Sequence, residues 1–272
     1  MINVNPPVYT LGPDFYDEVL PGNFEFKEIR FINKKISHHL GIDINSKETL
    51  INHFLKFESL PNNLTKPLAL RYHGHQFHHY NSELGDGRGF LFAQFCDSNK
   101  NLFELGTKGS GTTPYSRRGD GRLTLKGAVR EALCSAYLEF QGVPTSRTFS
   151  IVETAENLIR YDEPSPTRSS VLTRYSHGHV RIGTFQRLFY FQNKENIESL
   201  TEYSLAHFYP HESKSNYPFL DLFFFSLWRL TDLIAAYMVS GFVHGVLNTD
   251  NINISGESFD YGPYRFLPTF DP

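Results

Sequence analysis

The stretch His244 to Gly262, HGVLNTDNINISGESFDYG, decides how this chain is read. It carries an asparagine, Asn251, and nine residues later an aspartate, Asp260, in an Asp-Tyr-Gly turn. Carbonyl and carboxylate oxygens converging on one point suit a hard divalent cation, Mg²⁺ or Mn²⁺, held against nucleotide phosphates. A second carboxylate, Asp250, stands beside the asparagine, whereas position 246, two after His244, is an apolar valine. Asn, Asp and Gly also favour ordinary turns, so the stretch takes its meaning from what precedes it.

Immediately before it lies PFLDLFFFSLWRLTDLIAAYMVSGFV, residues 218–243. Asp221, Arg229 and Asp232 interrupt this run, and a membrane span needs about 20 mostly apolar residues. It therefore reads as a buried helix of a soluble lobe. If further helices normally cover it, Phe223, Phe224, Phe225, Leu227 and Trp228 should form an exposed apolar patch here. The 272 residues are 40% hydrophobic, with 25 Phe and 15 Tyr, enough for a substantial core. Net charge is −3 with no long basic or acidic block, which argues against nucleic acid or an anionic membrane as partner. Cys96 and Cys134 lie in apolar segments and read as reduced core thiols of a cytoplasmic protein. The N-terminus has no secretory pattern.

Working further back, residues 1–70 read as an N-terminal extension, an extended arm followed by short helical pieces. One of these is KETLINHFLKF, with Leu50, Ile51, Phe54 and Leu55 on one face. GFLFAQFC, the turn DSNKN and LFELGTK read as a β-hairpin ending at Lys108. A Gly-, Thr-, Ser- and Arg-rich loop follows over 109–122. The next helix carries an apolar stripe of Ala128, Val129, Ala132, Leu133, Ala136, Tyr137 and Phe140, with Glu131 off it, and ends at Gly142 and Pro144. RTFSIVETAENLIRYD and SSVLTRYS read as strands.

Several of these residues have chemical uses. A lysine at a strand end, Lys108, can pair with a helix glutamate, Glu131, 23 residues on, and hold a phosphate oxygen. Two Gly-Asp-Gly-Arg runs, 85–88 and 119–122, offer close backbone approach and arginine forks for phosphate. Each alone reads equally as a tight turn. Arg174 and Arg181 flank a turn and can clamp a polyphosphate. The histidine run HGHQFHHY (His73, His75, His78, His79) lacks zinc-site spacing and reads as packing. The order, a sheet lobe (71–175) with one key helix and then a partial helical lobe (176–272) with a metal loop, is a protein-kinase-like α+β arrangement. Such enzymes carry a catalytic aspartate at the position of Val246.

The runs GHQF, LGDGR, TPYSRRGDGR, VREALCSAYLEFQGVPT, TRYSHGHVRIGTF, HGVLNTDNI and DYGPYRFL together resemble the selenoprotein O family, of the YdiU type, from about Leu70 onward. The resemblance implies a kinase-like fold that binds ATP in a flipped orientation and transfers AMP, or UMP in some members, to hydroxyls of protein substrates. It implies ATP contacts at Gly85, Gly87, Arg88, Lys108, Asp120, Gly121, Arg174, Arg181 and Asp260, and an ion pair between Lys108 and Glu131. Asp250 would be the proton acceptor, and Asn251 and Asp260 the metal ligands. The chain departs from the family at YHGHQFHHY, with Tyr80 in a tryptophan's place, and at GTKGSG. Members continue far past the Asp-Tyr-Gly motif, so a separate C-terminal fragment is a candidate partner. An ordinary phosphotransferase and a non-catalytic nucleotide-binding remnant are the alternatives.

Overall fold

The computed structural model describes residues 5–269; the outermost ends of the expected 1–70 and 176–272 segments lie outside the described residues. The first 70 residues are not an arm laid beside the fold. A 3₁₀ turn at Pro7–Leu11 precedes β1 (Tyr16–Glu18), β2 (Glu28–Ile32), α1 (Lys34–Leu40) and α2 (Lys47–Phe54). Asn33 and Ser46 cap these two helices, accepting from backbone N–H groups of their first turns. α2 stops three residues short of the expected Phe57, whose φ of 56° is incompatible with helix. Leu50, Ile51, Phe54 and Leu55 are buried as the spacing predicts.

β3 (Leu68–Leu70) leads to a small hairpin of β4 (Gly74–Gln76) and β5 (His79–Asn81). β6 (Leu91–Cys96) and β7 (Leu102–Lys108) form the predicted antiparallel hairpin. Its turn is held by Asp97, whose Oδ1 accepts from the N–H groups of Asn99 (2.8 Å) and Asn101 (2.9 Å). β8 (Leu123–Thr124) runs into α3 (Leu125–Phe140), with Thr124 as its cap. β9 (Arg147–Leu158) and β10 (Thr167–Ser176) complete an antiparallel sheet of order β1-β3-β6-β7-β10-β9-β2, with β8 on β10. β1 and β2 thus close its two ends from the N-terminal segment.

α3 turns a different face inward from the one its apolar spacing predicts. Val129, Leu133, Tyr137 and Phe140 are exposed, while Ala128, Glu131, Cys134, Ser135 and Leu138 are buried. The reason is electrostatic: Glu131 meets Lys108 inside the protein, and that pairing fixes the helix rotation.

α4 (Ile182–Tyr190), α5 (Lys194–His207) and α6 (Pro218–Val239) form the helical part, followed by the short pair β11 (Phe242–Val243) and β12 (Arg265–Phe266). α6 is not the buried helix the sequence suggests. Among its residues only Leu222, Ser226, Leu233 and Tyr237 are buried. Its length and mean hydropathy of 1.4 meet the requirement for a membrane span on those grounds alone. Phe223, Phe224, Leu227 and Trp228 form the expected exposed patch; Phe225 is half-buried against Tyr209. Trp228 is the chain's single tryptophan and is 69% exposed. Its fluorescence is expected to peak at the solvent-exposed end of the range and to be quenched freely by iodide; a blue-shifted, iodide-resistant emission would show that α6 is covered.

Candidate active site

Residues 250 and 260 reach one cavity because the chain between them is clamped on both sides. The N–H of Ile182 donates to Ile252 O (3.0 Å), and that of Ile254 to Val180 O (2.9 Å). On the other side Ser258 N donates to Pro144 O (2.9 Å), and Ser146 N to Ser258 O (2.8 Å). Residues 252–258 are thus held between the end of the sheet and the segment after α3. His244 Nε2 donates to Phe259 O (2.9 Å) and fixes the backbone next to Asp260, whose φ is 65°. His244 is therefore a positioning residue.

The cavity encloses about 770 Å³. All the site residues drawn from the sequence border it except Glu131, which reaches it through Lys108. Lys108 Nζ contacts Glu131 Oε1 and Asp260 Oδ1, the latter at 2.5 Å. Arg174 NH1 lies 3.4 Å from the same Asp260 oxygen and 4.0 Å from Glu131 Oε2. Lys108, with Arg174 and Arg88 nearby, overcomes the desolvation of Asp260 and holds its carboxyl well below the usual range. Arg181 is buried over the rings of Tyr72 (4.2 Å) and Phe259 (5.1 Å) and pairs with Asp86 Oδ1 at 3.1 Å.

Asn251 Nδ2 donates to the carbonyl of Val246 (2.8 Å), so the backbone at the apolar position aims the asparagine. That leaves Asn251 Oδ1 and Asp260 Oδ2 without partners among the described residues, in the same cavity. Two such oxygens suit a hard divalent cation that takes its other ligands from phosphate and water. Asp250 is buried. Its Oδ2 accepts from Gln76 Nε2 (2.9 Å) and its Oδ1 has no partner among the described residues. Burial raises its pKa above the ordinary aspartate range. A Cβ on Gly74 would lie 2.9 Å from that Oδ1, so β4 comes this close only with glycine there.

The two Gly-Asp-Gly-Arg runs meet across the cavity. Gly85 lies under the Tyr115 ring, where a Cβ would approach to 2.3 Å, and this lets the 109–122 loop fold down. Asp120 accepts from Arg122 N (2.9 Å) and pairs with Arg160 (2.9 Å), so it orders the loop tip beside Gly121. Eight cationic side chains face five carboxylates around the cavity. Arg117 and Arg118, overlooked as single features in the sequence, are among the cations; Asp86, the partner of Arg181, is among the carboxylates, and the neutral Gln76, the partner of Asp250, also lines the cavity. Adjacent Arg-Arg was the available signal for the first pair; the other two are legible only once the chain is folded. Buried Glu131 Oε2, Arg174 Nε, Arg181 Nε and Asp250 Oδ1 all lack hydrogen-bond partners among the described residues, a concentration that marks a functional site. Of the histidine run, His73 is buried among Tyr80, Tyr190 and Phe191, and its Nδ1 lies 2.8 Å from Tyr80 Oη.

Comparison with known proteins shows the family. The family model described as "Protein adenylyltransferase SelO" matches residues 1–272. A protein nucleotidyltransferase YdiU of Trichodesmium erythraeum is 47% identical over 279 residues, covering 100% of this chain and 58% of that protein. Its counterpart in Gloeobacter violaceus is 48% identical over 274 residues (100% and 56%), and that of Bacillus cytotoxicus 37% over 265 residues (96% and 52%). The chain spans just over half the length of these curated relatives. On the full-length family match and these identities, the chain belongs to the SelO family of protein adenylyltransferases.

Proposed function

We propose that this chain carries the nucleotide site of a protein adenylyltransferase with a kinase-like arrangement of lobes. Its substrate is ATP, or UTP where UMP is transferred, and its acceptor is a Ser, Thr or Tyr hydroxyl of a protein. The observation that carries the reading is the pairing of Lys108 with both Glu131 and Asp260, while position 246 is apolar and the free carboxylate is Asp250. Lys108, Arg174 and Arg181, with Arg88 from the first glycine-rich run, hold the β- and γ-phosphates as the leaving group. Gly85, Gly87, Asp120 and Gly121 shape the wall against which the nucleotide rests. Asn251 and Asp260 would hold Mg²⁺ or Mn²⁺, which neutralises phosphate charge.

In the reaction, the acceptor oxygen bonds to the α-phosphorus and the bond from that phosphorus to the bridging oxygen breaks. Pyrophosphate leaves, and the hydroxyl proton passes to Asp250. Pyrophosphate carries high negative charge, which is why this arrangement needs cations at the leaving-group end. A γ-phosphoryl transfer would instead call for a base where Val246 stands.

One observation favours a second reading, nucleotide binding without transfer by this chain alone: the apolar face of α6 is uncovered. Incubation with [α-³²P]ATP or [γ-³²P]ATP separates the possibilities. Label is expected on protein from the α-position only. Label from the γ-position would overturn the proposal in favour of a phosphotransferase. ATP binding with neither label transferred would favour the second reading.

A further inference from the structure

A second cavity, about 640 Å³, lies between the segment after α3, the end of α5 and α6, and shares no lining residue with the nucleotide cleft. Its wall includes Glu257, which is only 8% exposed. Glu257 Oε2 accepts from the N–H of His177 (2.8 Å), and its Oε1 has no hydrogen-bond partner among the described residues. Ser255 Oγ, on the same wall, is also buried without one.

Arg147 acts on Glu257 through its charge, opposed by Glu104, but no cation is ion-paired with Glu257 among the described residues. Arg147, from β9, is paired with Glu139 of α3 at 2.8 Å. Arg229, from α6, lies 3.7 Å from Glu212, donates to Phe208 O (3.0 Å) and sits over the Tyr209 ring. Burial lowers the pKa of His177 and of His207, which favours their neutral forms. His211 Nε2 lies 3.1 Å from Asn101 Oδ1. What remains is two carboxylates without ion-pair partners among the described residues, Glu257 within the cavity and Asp232 at its edge. No group of three or more His, Cys, Asp or Glu side chains converges here among the described residues.

We propose that this cavity binds a small organic cation with N–H donors, an ammonium or guanidinium compound, whose charge is received by Glu257 and whose remaining donors reach the Ser255 hydroxyl and Asp232. The volume suits a small molecule, and a charge-assisted bond to a buried carboxylate is among the stronger polar contacts available. Unliganded, burial pushes the Glu257 carboxyl up to about 8, so at pH 7 it is mostly protonated. A cation that settles on it must displace that proton.

Agmatine serves as the probe, titrated calorimetrically into the full 272-residue chain at pH 7 in two buffers of different ionisation enthalpy. Saturable binding with release of about one proton per site is expected. Glu257→Gln keeps the shape of the protonated acid and is expected to weaken agmatine binding by about tenfold or more, with ATP binding unchanged as evidence of folding. Neutral butylurea is expected not to bind. The proposal is overturned if the native chain shows no saturable agmatine binding. Equal affinity in the Glu257→Gln variant, binding without proton release, or equally tight binding of butylurea would each overturn it too. None of these outcomes depends on whether the chain transfers AMP.

Discussion

Replacing Asp250 by Asn is expected to lower AMP transfer by about 10²–10⁴-fold, the range for losing a general base, while ATP binding stays close to that of the native chain. The asymmetry follows from geometry. Asp250 is not among the groups that contact Lys108, Arg174 or Arg181; its bond is to Gln76, which an asparagine oxygen can still accept. What asparagine cannot do is take a proton. The pH dependence gives an independent check. Burial raises the pKa of Asp250, so its ionised form is lost as pH falls through a value above the ordinary aspartate range. The acid limb of kcat/KM is therefore expected above that range. Asp260, held low by its cations, stays ionised throughout and contributes no limb there. Substantial transfer by Asp250→Asn, or an equal loss of ATP binding, would remove Asp250 from the role of base.

The sequence exposed the parts of this site whose signals are local. The hairpin before Lys108 was legible because alternating apolar residues flank an Asp-centred turn, and that turn forms. The spacing of Asn251 and Asp260 after His244 was legible as a pattern, and both line the cleft. Features set by distant partners were not legible. Periodicity assigns the apolar face of α3 to the interior, yet Leu133 and Phe140 face outward, because Glu131 must meet a lysine on another element. β1 and β2 are three and five residues long and carry no alternating burial, so nothing local announces them as the ends of the sheet. α6 reads as interior from its composition alone. Burial depends on what lies against a helix, and most of its apolar side chains have nothing against them here.

The second large effect concerns Lys108, where stability and chemistry pull in different directions. Lys108→Ala is expected to destabilise the fold by about 3–5 kcal/mol, the cost of removing one partner from a buried ion pair. Glu131 is 3% exposed and would keep only Arg174, 4.0 Å from its second oxygen. Asp260 would keep Arg174 at 3.4 Å. The double variant Lys108→Met with Glu131→Met removes both charges and retains apolar volume. Replacements of that kind are often neutral or stabilising, so its unfolding midpoint in urea is expected to return close to that of the native chain. Its nucleotide transfer is expected to stay as low as in Lys108→Ala, because a methionine offers no cation to a phosphate and no restraint on Asp260. A Lys108→Ala variant as stable as the native chain would contradict the buried pairing. A double variant that transferred AMP at the native rate would remove Lys108 from the chemistry. The expected combination, stability recovered and activity not, means that the interior lysine and glutamate are kept for the phosphates they position and not for the fold they occupy.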